Sequence, residues 1–213
     1  MSLRCRNEAV LAGMQPFLVA LPEHAERMNT NPLGLSIRHI IDPTRSESER
    51  FLHLLQTLDK MTFGPEGMPM PRWVFYDCAE LPGGIFGFAK PAEQLPADVL
   101  GALGRPPSDR GLVPFSMFIA IPIEPPDVWF GHNLASLNPS FPELGLKGLA
   151  SMTKALALAV YRCRTQIGAT QWSSQALRIH TRFGPLALET AWTPAHSDPA
   201  TLTYRLDVTE AKI

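Results

Sequence analysis

Cysteine is scarce in this sequence, long apolar runs are missing, and neither sign of charge predominates. Only three cysteines occur among 213 residues, without C-x-x-C spacing, so the sequence indicates neither a disulfide framework nor a zinc site. No stretch approaches the roughly 18 apolar residues of a membrane-spanning helix. Lysine and arginine total 19 against 20 for aspartate and glutamate, and no basic patch stands out. We therefore expect neither a membrane nor a nucleic acid as a partner.

Several well-known catalytic motifs are also missing. The sequence contains no G-x-S-x-G, no H-E-x-x-H, no G-x-G-x-x-G after its first strand and no Walker A lysine motif. The six histidines are scattered without the spacing of metal ligands, so we expect no metal site. Glu8 and Pro16 interrupt the N-terminal apolar residues, which argues against a secretory signal and leaves a cytoplasmic location as the default expectation.

The composition, 45% hydrophobic and 18% charged, is typical of an ordinary globular protein. The length suits a single domain over residues 1–213. We expect residues 1–32 to form a short helical extension that is a candidate homodimer contact, and residues 33–213 to form the core. The apolar residues that suggest helix in this extension are Leu11, Met14, Leu18 and Leu21.

Helical spacing is clearest in the first half of the chain between residues 51 and 61. Ser46 lies three residues before Glu49, which predicts a capping box at the start of this helix. The apolar stripe of the helix consists of Phe51, Leu54, Leu55, Leu58 and Met61. Residues 33–41 show partial alternation and predict a strand. Residues 72–80 are also interpreted as a strand, joined to the strand at 85–90 by a tight turn to form a hairpin.

In the second half, the strands predicted at 114–123 and 128–137 are joined by a connector short enough for antiparallel neighbours. A long helix follows to about Arg164, and we expect one apolar face, with polar residues on the other side. Its apolar residues are Leu146, Leu149, Leu156, Val160 and Cys163, and its polar residues are Lys147, Ser151, Lys154 and Arg162. A strand at 167–172, a helix capped by Ser173 or Ser174, and strands at 186–192 and 201–208 complete the chain.

Two motifs accompany this order of elements: Gly145-Leu-Lys-Gly148-Leu-Ala150-Ser151 before the long helix, and Ala176-Leu-Arg-Ile-His180-Thr-Arg182-Phe-Gly184 in the last helix. Together they resemble the GNAT superfamily of N-acetyltransferases over roughly residues 34–208. The resemblance implies an α+β fold with a central mixed, mostly antiparallel sheet flanked by helices. It departs from the family pattern at Gly145, where a glutamine or arginine is usual, and at His180, where a tyrosine is common.

The resemblance also implies a ligand, acetyl-CoA or another acyl-CoA, as co-substrate. The pyrophosphate would lie on the turn that opens the long helix, because free N–H groups and the helix dipole favour an anion there. The pantetheine arm would pair with the backbone of a splayed central strand, assigned to residues 128–137, with Gly131 marking the splay or a bulge. The residues implied in cofactor binding are Leu134, Ala135, Ser136, Gly145, Leu146, Lys147, Gly148, Leu149, Ala150 and Ser151.

Acyl transfer to an amine needs a group that takes the amine proton and a group that protonates the leaving thiolate. By its place in the resemblance, His180 is the candidate acid. His132 is the candidate base, with Glu124 as an alternative and Asn133 as a polar contact. The acceptor would be a small molecule or a peptide amine. Two other functions stay open at this point, a catalytically inactive GNAT-like ligand-binding or regulatory protein and an acyl-thioester-using synthase similar to the acyl-homoserine lactone synthases.

Overall fold

The computed structural model describes residues 8–124, 127–171, 175–192 and 201–209. Nine strands among these residues form one sheet, in the order β2-β1-β3-β5-β6-β7-β9-β8, with β4 paired to β3. The strands are β1 Gln15–Val19, β2 His39–Ile41, β3 Gly84–Pro91, β4 Leu112–Pro114, β5 Ser116–Glu124, β6 Val128–Ser136, β7 Thr165–Gln171, β8 Leu186–Trp192 and β9 Thr201–Asp207. Only β1 with β2 and β6 with β7 pair in parallel. The predicted mixed, mostly antiparallel α+β architecture is confirmed.

The helices of the described residues are α1 Glu8–Leu11, α2 Pro22–Ala25, α3 Glu49–Phe63, α4 Arg72–Glu80, α5 Ala97–Ala102, α6 Leu149–Tyr161 and α7 Ala176–His180. Helix α6 packs against β3, β5 and β6, and helix α3 packs against β4 and β6. None of the helices in the described ranges has the length and apolar character needed to cross a bilayer. Ser173 and Ser174, predicted to cap α7, lie outside the described residues.

The helical prediction for the start of the chain is wrong at residues 15–19. These residues form β1, which pairs with β2 on one side and with β3 on the other. Phe17, Leu18 and Val19 are all fully buried. A strand buried on both faces has a continuous apolar run rather than alternation, so apolar spacing alone does not distinguish it from a helix. Of the strand predicted over 33–41, only His39–Ile41 is a strand.

The strand predicted at residues 72–80 is helix α4, and the predicted hairpin is therefore absent from the described residues. Pro71 precedes the first turn in an extended conformation, and Leu81 ends the helix in an extended conformation. Phe75 is fully buried whereas Trp73 is 63% exposed, because the helix packs by one side only. The aromatic and β-branched residues that favoured a strand are here overridden by tertiary packing. Strand β3 pairs with β1, β4 and β5 instead.

Helix α3 is confirmed, but its predicted capping box is not formed. Ser46 begins a short 3₁₀ turn, and α3 follows directly after Ser48. The Ser48 hydroxyl donates to the carbonyl oxygen of Asp42 at 2.6 Å. The apolar stripe faces the core as predicted, since Phe51, Leu54, Leu55 and Leu58 are all buried.

An ion-pair network joins α3 to the segment that follows α5. Asp109, whose side chain is 6% exposed, accepts from Arg50 Nη2 at 2.5 Å and from Arg105 Nε at 2.7 Å. Arg50 also donates to the Leu112 carbonyl oxygen at 2.7 Å, at the start of β4. Hydrogen bonds from Arg105, together with Arg50, hold the pKa of Asp109 well below its usual range.

Helix α6 is confirmed, but the prediction of a polar, solvent-facing side is wrong for two of its residues. Ser151 and Lys154 are buried, and only the flanking Lys147 and Arg162 are exposed. Lys154 lies beside rings from β5, from β9 and from the segment after α7, and the Ser151 hydroxyl accepts from Arg182 of that same segment. A helix enclosed in this way is apolar nearly all round, and a buried polar residue on it needs a partner.

Candidate active site

The sheet opens between its two central parallel strands. Strands β6 and β7 pair from Val128 with Thr165 up to Gly131 with Gly168, and the pairing stops there. Beyond this point β6 remains paired with β5, and β7 remains paired with β9 as far as Gln171. The strands therefore diverge toward their carboxyl ends, and Gly131 marks the start of the divergence, as one of the two sequence interpretations predicted.

Two glycines are required at this apex because large side chains fill the space beside them. A Cβ on Gly131 would lie 2.0 Å from Gln166 Nε2 and 2.5 Å from Phe118 Cζ. A Cβ on Gly168 would lie 2.5 Å from the Tyr204 hydroxyl. Gln166 Nε2 donates to that hydroxyl at 3.0 Å. The side chains at the closed end of the gap are thus fixed by packing and by a buried hydrogen bond.

Strand β6 carries a β-bulge two residues beyond Gly131. Met117 pairs with Ala135 and Ile119 pairs with His132, so two residues of β6, Asn133 and Leu134, lie opposite one residue of β5. Asn133 has φ of 42°, in the left-handed region that asparagine tolerates better than most residues with a Cβ. The bulge turns the backbone and directs the Asn133 side chain to a partner on α3.

A cavity of about 230 Å³ lies in the gap. The strands contribute its walls, α7 contributes one side, and the segment after α3 contributes another. Its lining residues are Phe63, Glu66, Met68, Phe118, Phe130, Gly131, His132, Asn133, Leu134, Ala169, Thr170, Gln171, Ala176, His180 and Tyr204.

The cavity brings together some of the predicted site residues but not all of them. His132, Leu134 and His180 line it. Ala135 and Ser136 are buried farther along β6. Glu124 is not brought to the cavity: it is exposed and pairs with Val128, at the opposite end of β6 from the gap. Antiparallel pairing carries the end of β5 away from the divergence, so the alternative base lies apart from the other candidate residues.

His132 is the end of a chain of three side chains that begins on α3. Asp59, which is fully buried, accepts from the Met70 backbone N–H at 2.6 Å and from Asn133 Nδ2 at 2.5 Å. Asn133 Oδ1 then contacts His132 Nδ1. An amide oxygen only accepts, so Nδ1 of His132 carries a proton, and in the neutral imidazole Nε2 has the free lone pair. His132 is therefore held as a proton acceptor toward the cavity.

Asp59 was not predicted as part of the site. Burial raises the pKa of its carboxyl above the usual value, while the hydrogen bonds from Met70 and Asn133 act in the opposite direction. In the sequence, Asp59 is marked only by its position directly after Leu58, which belongs to the apolar stripe of α3. Its partner lies 74 residues away in sequence, so no local pattern could have identified it.

His180 has the opposite arrangement. Its ring is 3% exposed and stacks on Tyr204, with centroids 4.5 Å apart and an interplanar angle of 27°. Its Nδ1 lies 2.6 Å from Nζ of Lys154, which is fully buried. When Nζ is an ammonium it can only donate, so Nδ1 accepts and the imidazole proton is on Nε2. His180 thus presents a donor where His132 presents an acceptor.

Burial dominates the electrostatics of this second pair. It lowers the pKa of Lys154 well below its usual value. Burial, with Lys154 as the second cause, lowers the pKa of His180 to about 2. The imidazole is therefore neutral at physiological pH, and the two groups share at most one extra proton. Lys154 was predicted on a solvent-facing side, so its place beside His180 was missed.

The N-terminus of α6 has the chemistry of an anion site. The helix begins at Leu149, and Gly148 precedes it with φ of 100°. The turn that was predicted to open the helix therefore extends to Gly148, and the helix begins four residues after Gly145. Within the part of the chain that the structure describes, the N–H groups of Gly148, Ala150 and Ser151 find no acceptor, whereas that of Leu149 bonds the Leu146 carbonyl oxygen. Such N–H groups and the helix dipole favour negative charge.

A positive side chain reaches this helix end from the segment after α7. Arg182 Nη1 donates to the Ser151 hydroxyl at 3.0 Å. The residues from Ala176 to Arg182 therefore contact both the cavity and the start of α6, which joins the two places spatially. Among the described residues there is no group of three or more histidines, cysteines or acids placed to hold a metal ion.

No protein-family model matches the sequence, and no curated protein matches it. Solved structures do match. The NatC complex bound to Gag peptide and CoA has a TM-score of 0.54 at 13% identity, over 79% of this chain and 97% of that one. The ribosomal-protein-S18-alanine N-acetyltransferase from Escherichia coli gives 0.48 at 12%, over 75% and 89%. An acetyltransferase of the GNAT family from Bacillus anthracis gives 0.44 at 14%, over 75% and 89%. With the strand order and the diverging parallel pair, the similarity to the NatC structure shows that the chain has a GNAT-like fold.

Proposed function

We propose that this chain is an acyl-CoA-dependent N-acyltransferase that transfers the acyl group directly to an amine of a small molecule or peptide. One observation carries the proposal. The sheet opens between β6 and β7 into a cavity where His132 presents a proton acceptor and His180 presents a proton donor. Aminolysis of a thioester needs both a group that takes a proton and a group that gives one.

The coenzyme would lie along the open edge of β6. No strand of the described part of the chain pairs with Leu134 to Ser136 on the β7 side, so their backbone can pair with the amide groups of a pantetheine arm. The pyrophosphate would then meet the free N–H groups at the start of α6, with Lys147 and Arg182 as counter-charges. The family usually has a glutamine or arginine at the place of Gly145, and here Arg182 supplies a positive charge instead.

The two histidines would act on opposite sides of the reacting carbonyl. Nε2 of His132 takes the proton of the attacking amine, while Nε2–H of His180 donates to the sulfur as the bond between carbon and sulfur breaks. Backbone N–H groups of the bulged β6 strand are the available donors for the negative oxygen of the tetrahedral intermediate. The chain from Asp59 through Asn133 keeps the His132 imidazole in the required tautomer.

The acceptor would enter from the segment after α3. Phe63, Glu66 and Met68 line that side of the cavity, and Gln171 Nε2 donates to Met68 Sδ at 3.2 Å, which holds the segment against β7. The Glu66 carboxylate attracts the ammonium group of the acceptor, and this ammonium group then loses a proton to the base. The NatC structure contains a peptide together with CoA, which supports a peptide as one class of acceptor.

Calorimetric titration with acetyl-CoA tests the proposal. We expect binding, and we expect Arg182→Met to weaken it about tenfold, because one charge-assisted contact to phosphate is lost. The exposed Arg178 of α7 provides the matched control, Arg178→Met, which should leave the affinity unchanged. With acetyl-pantetheine, which has no pyrophosphate, the effect of Arg182→Met should disappear. No heat of binding at millimolar acetyl-CoA would contradict the proposal.

A non-catalytic, coenzyme-binding module is the second candidate. The observation that favours it is His180, which stands where a tyrosine is common in the GNAT superfamily. Burial lowers the pKa of His180 to about 2, so this imidazole cannot act alone as a cationic acid. Coenzyme binding without turnover over a panel of amines would support this candidate. The acyl-thioester synthase alternative was based on a helical extension and an apolar hairpin. Neither is observed among the described residues, because residues 15–19 form the inner strand β1 and residues 72–80 form α4.

A further inference from the structure

Lys154 is a buried cation whose place packing does not explain. It lies on α6 among apolar neighbours and is fully buried. Its Nζ is 5.9 Å from the ring of Phe118 and 5.7 Å from the rings of Phe183 and Tyr204. Among the described residues no carboxylate forms an ion pair with it. A methionine or leucine would fill this space without the cost of removing an amine from water.

The groups that face Lys154 leave it one polar partner. The titratable side chains around it are His180 from α7, Tyr204 from β9 and Cys163 just after α6. Tyr204 uses its hydroxyl to accept from Gln166, and Cys163 donates to the Thr165 carbonyl oxygen. Within the ranges that the structure describes, only His180 Nδ1, at 2.6 Å, is within hydrogen-bond distance of Nζ. Any proton exchanged by Lys154 therefore passes through the imidazole.

We propose that Lys154 is a positioning residue for His180 that replenishes the proton which the imidazole gives to the leaving thiolate. The inference rests on the proposed acyltransferase function. In the step, the bond between carbon and sulfur of the tetrahedral intermediate breaks and its electron pair goes to sulfur. The proton on His180 Nε2 moves to sulfur, and a proton of the Lys154 ammonium moves to His180 Nδ1. The products are a thiol, a neutral imidazole protonated on Nδ1, and a neutral amine.

His180 needs this partner because a neutral imidazole cannot give up its only proton alone. Loss of that proton alone would leave an imidazolate anion. A proton that arrives on Nδ1 at the same time keeps the ring neutral. Burial lowers the pKa of Lys154, which makes its ammonium a stronger acid toward the imidazole than that of an exposed lysine. After product leaves, the proton that His132 took from the amine returns through solvent in the open cavity.

The test compares Lys154→Met with Lys90→Met. Methionine has nearly the volume of lysine, and Lys90 is a matched control because its Nζ also lies over a ring, 5.8 Å from that of Phe115, outside the cavity. Thiol release from acetyl-CoA is followed with a panel of peptides and small primary amines from pH 6 to pH 10. We expect kcat of Lys154→Met to fall by about 10²–10⁴-fold, the size of a general-acid contribution, with KM for acetyl-CoA little changed.

Two readouts separate a proton-transfer role from a structural one. The kcat of the parent should decline at alkaline pH as the pair loses its proton, and Lys154→Met should lose that limb. The melting temperature of Lys154→Met should equal or exceed that of the parent, since a buried amine has been removed. A variant that keeps the parent's kcat and alkaline limb would overturn the inference.

Nuclear magnetic resonance of the ¹⁵N-histidine-labelled parent tests the pair without any acceptor. The spectrum should show His180 neutral with its proton on Nε2, and Lys154→Met should lose this preference. A proton on Nδ1 in the parent would overturn the inference even if the variant failed to fold. If the parent binds acetyl-CoA and turns over no amine, both the proposed function and the relay fail. If the parent turns over and Lys154→Met matches it, only the relay fails.

Discussion

Replacement of Asn133 probes the link between the bulge of β6 and the base. Asn133 donates to the buried Asp59 carboxylate at 2.5 Å, orients His132, and has a φ of 42°. Asn133→Gly removes the side chain but suits the positive φ, whereas Asn133→Ala removes the same hydrogen bonds and keeps a Cβ. The two variants therefore separate the energy of the side-chain contacts from that of the backbone conformation.

The expected magnitudes follow from these contacts. A hydrogen bond to a charged group contributes about 1.5–3 kcal/mol, so both variants should lose about that much of the free energy of unfolding. A Cβ in the left-handed region is disfavoured by about 1–2 kcal/mol, from which the greater freedom of glycine in the unfolded chain subtracts up to about 1 kcal/mol. Asn133→Ala should thus be the less stable variant, by about 1 kcal/mol. Urea unfolding of the parent and both variants measures these differences.

The dependence on pH gives the sharper test. Burial raises the pKa of Asp59 in the folded state, so its contribution to stability is fully present below the unfolded value of about 3.9 and is lost as the pH rises through the folded pKa. Removal of the Asn133 donor raises this pKa further. The deficit of Asn133→Gly relative to the parent should therefore grow from about pH 4 upward and then level off. A deficit that stays constant from pH 4 to pH 8 would refute this reasoning.

Two further predictions concern the scaffold. Asp109→Asn removes the carboxylate shared by Arg50 and Arg105, and urea unfolding at pH 7 should show that the free energy of unfolding falls by about 2–3 kcal/mol. Asp42→Asn, which breaks the more exposed pair with Arg45, should cause a far smaller loss. Because the pKa of Asp109 is lowered, this contribution is present above about pH 3.9 and is lost below it; equal stability at pH 7 would contradict the assignment. Gly168→Ala places a Cβ 2.5 Å from a tyrosine hydroxyl and should lower stability by about 1–3 kcal/mol, so an unchanged melting temperature would exclude tight packing at the apex.

The sequence predicted most of the sheet from the second half of the chain. Strands β5 and β6, with the short connector between them, and helix α6 carry clear apolar patterns and are confirmed. Prediction failed where tertiary packing overrides local preference. Residues 17–19 are apolar on both faces because β1 is an inner strand, and residues 72–80 have strand-forming side chains on a helix.

The site was predicted in part, for a physical reason. His132 and His180 could be placed by their strand and helix, but the groups that fix their protons come from other elements. Asp59 reaches His132 through Asn133 from α3, and Lys154 reaches His180 from α6. In the sequence Lys154 appears as an ordinary solvent-facing lysine, because its burial depends on side chains that β5, β9 and the segment from α7 onward bring around it. Such partners are fixed by packing across the chain and leave no local pattern.

The position of β1 has a consequence for how the chain folds. This strand lies between β2 and β3, and β3 ends at residue 91, so β1 can complete its pairing only after about seventy further residues have been synthesised. Contacts of such long sequence separation slow folding and leave an apolar segment exposed on the ribosome. Shortened forms that begin after residue 19 should therefore aggregate rather than fold, because they uncover an edge of β3 that would pair with another chain.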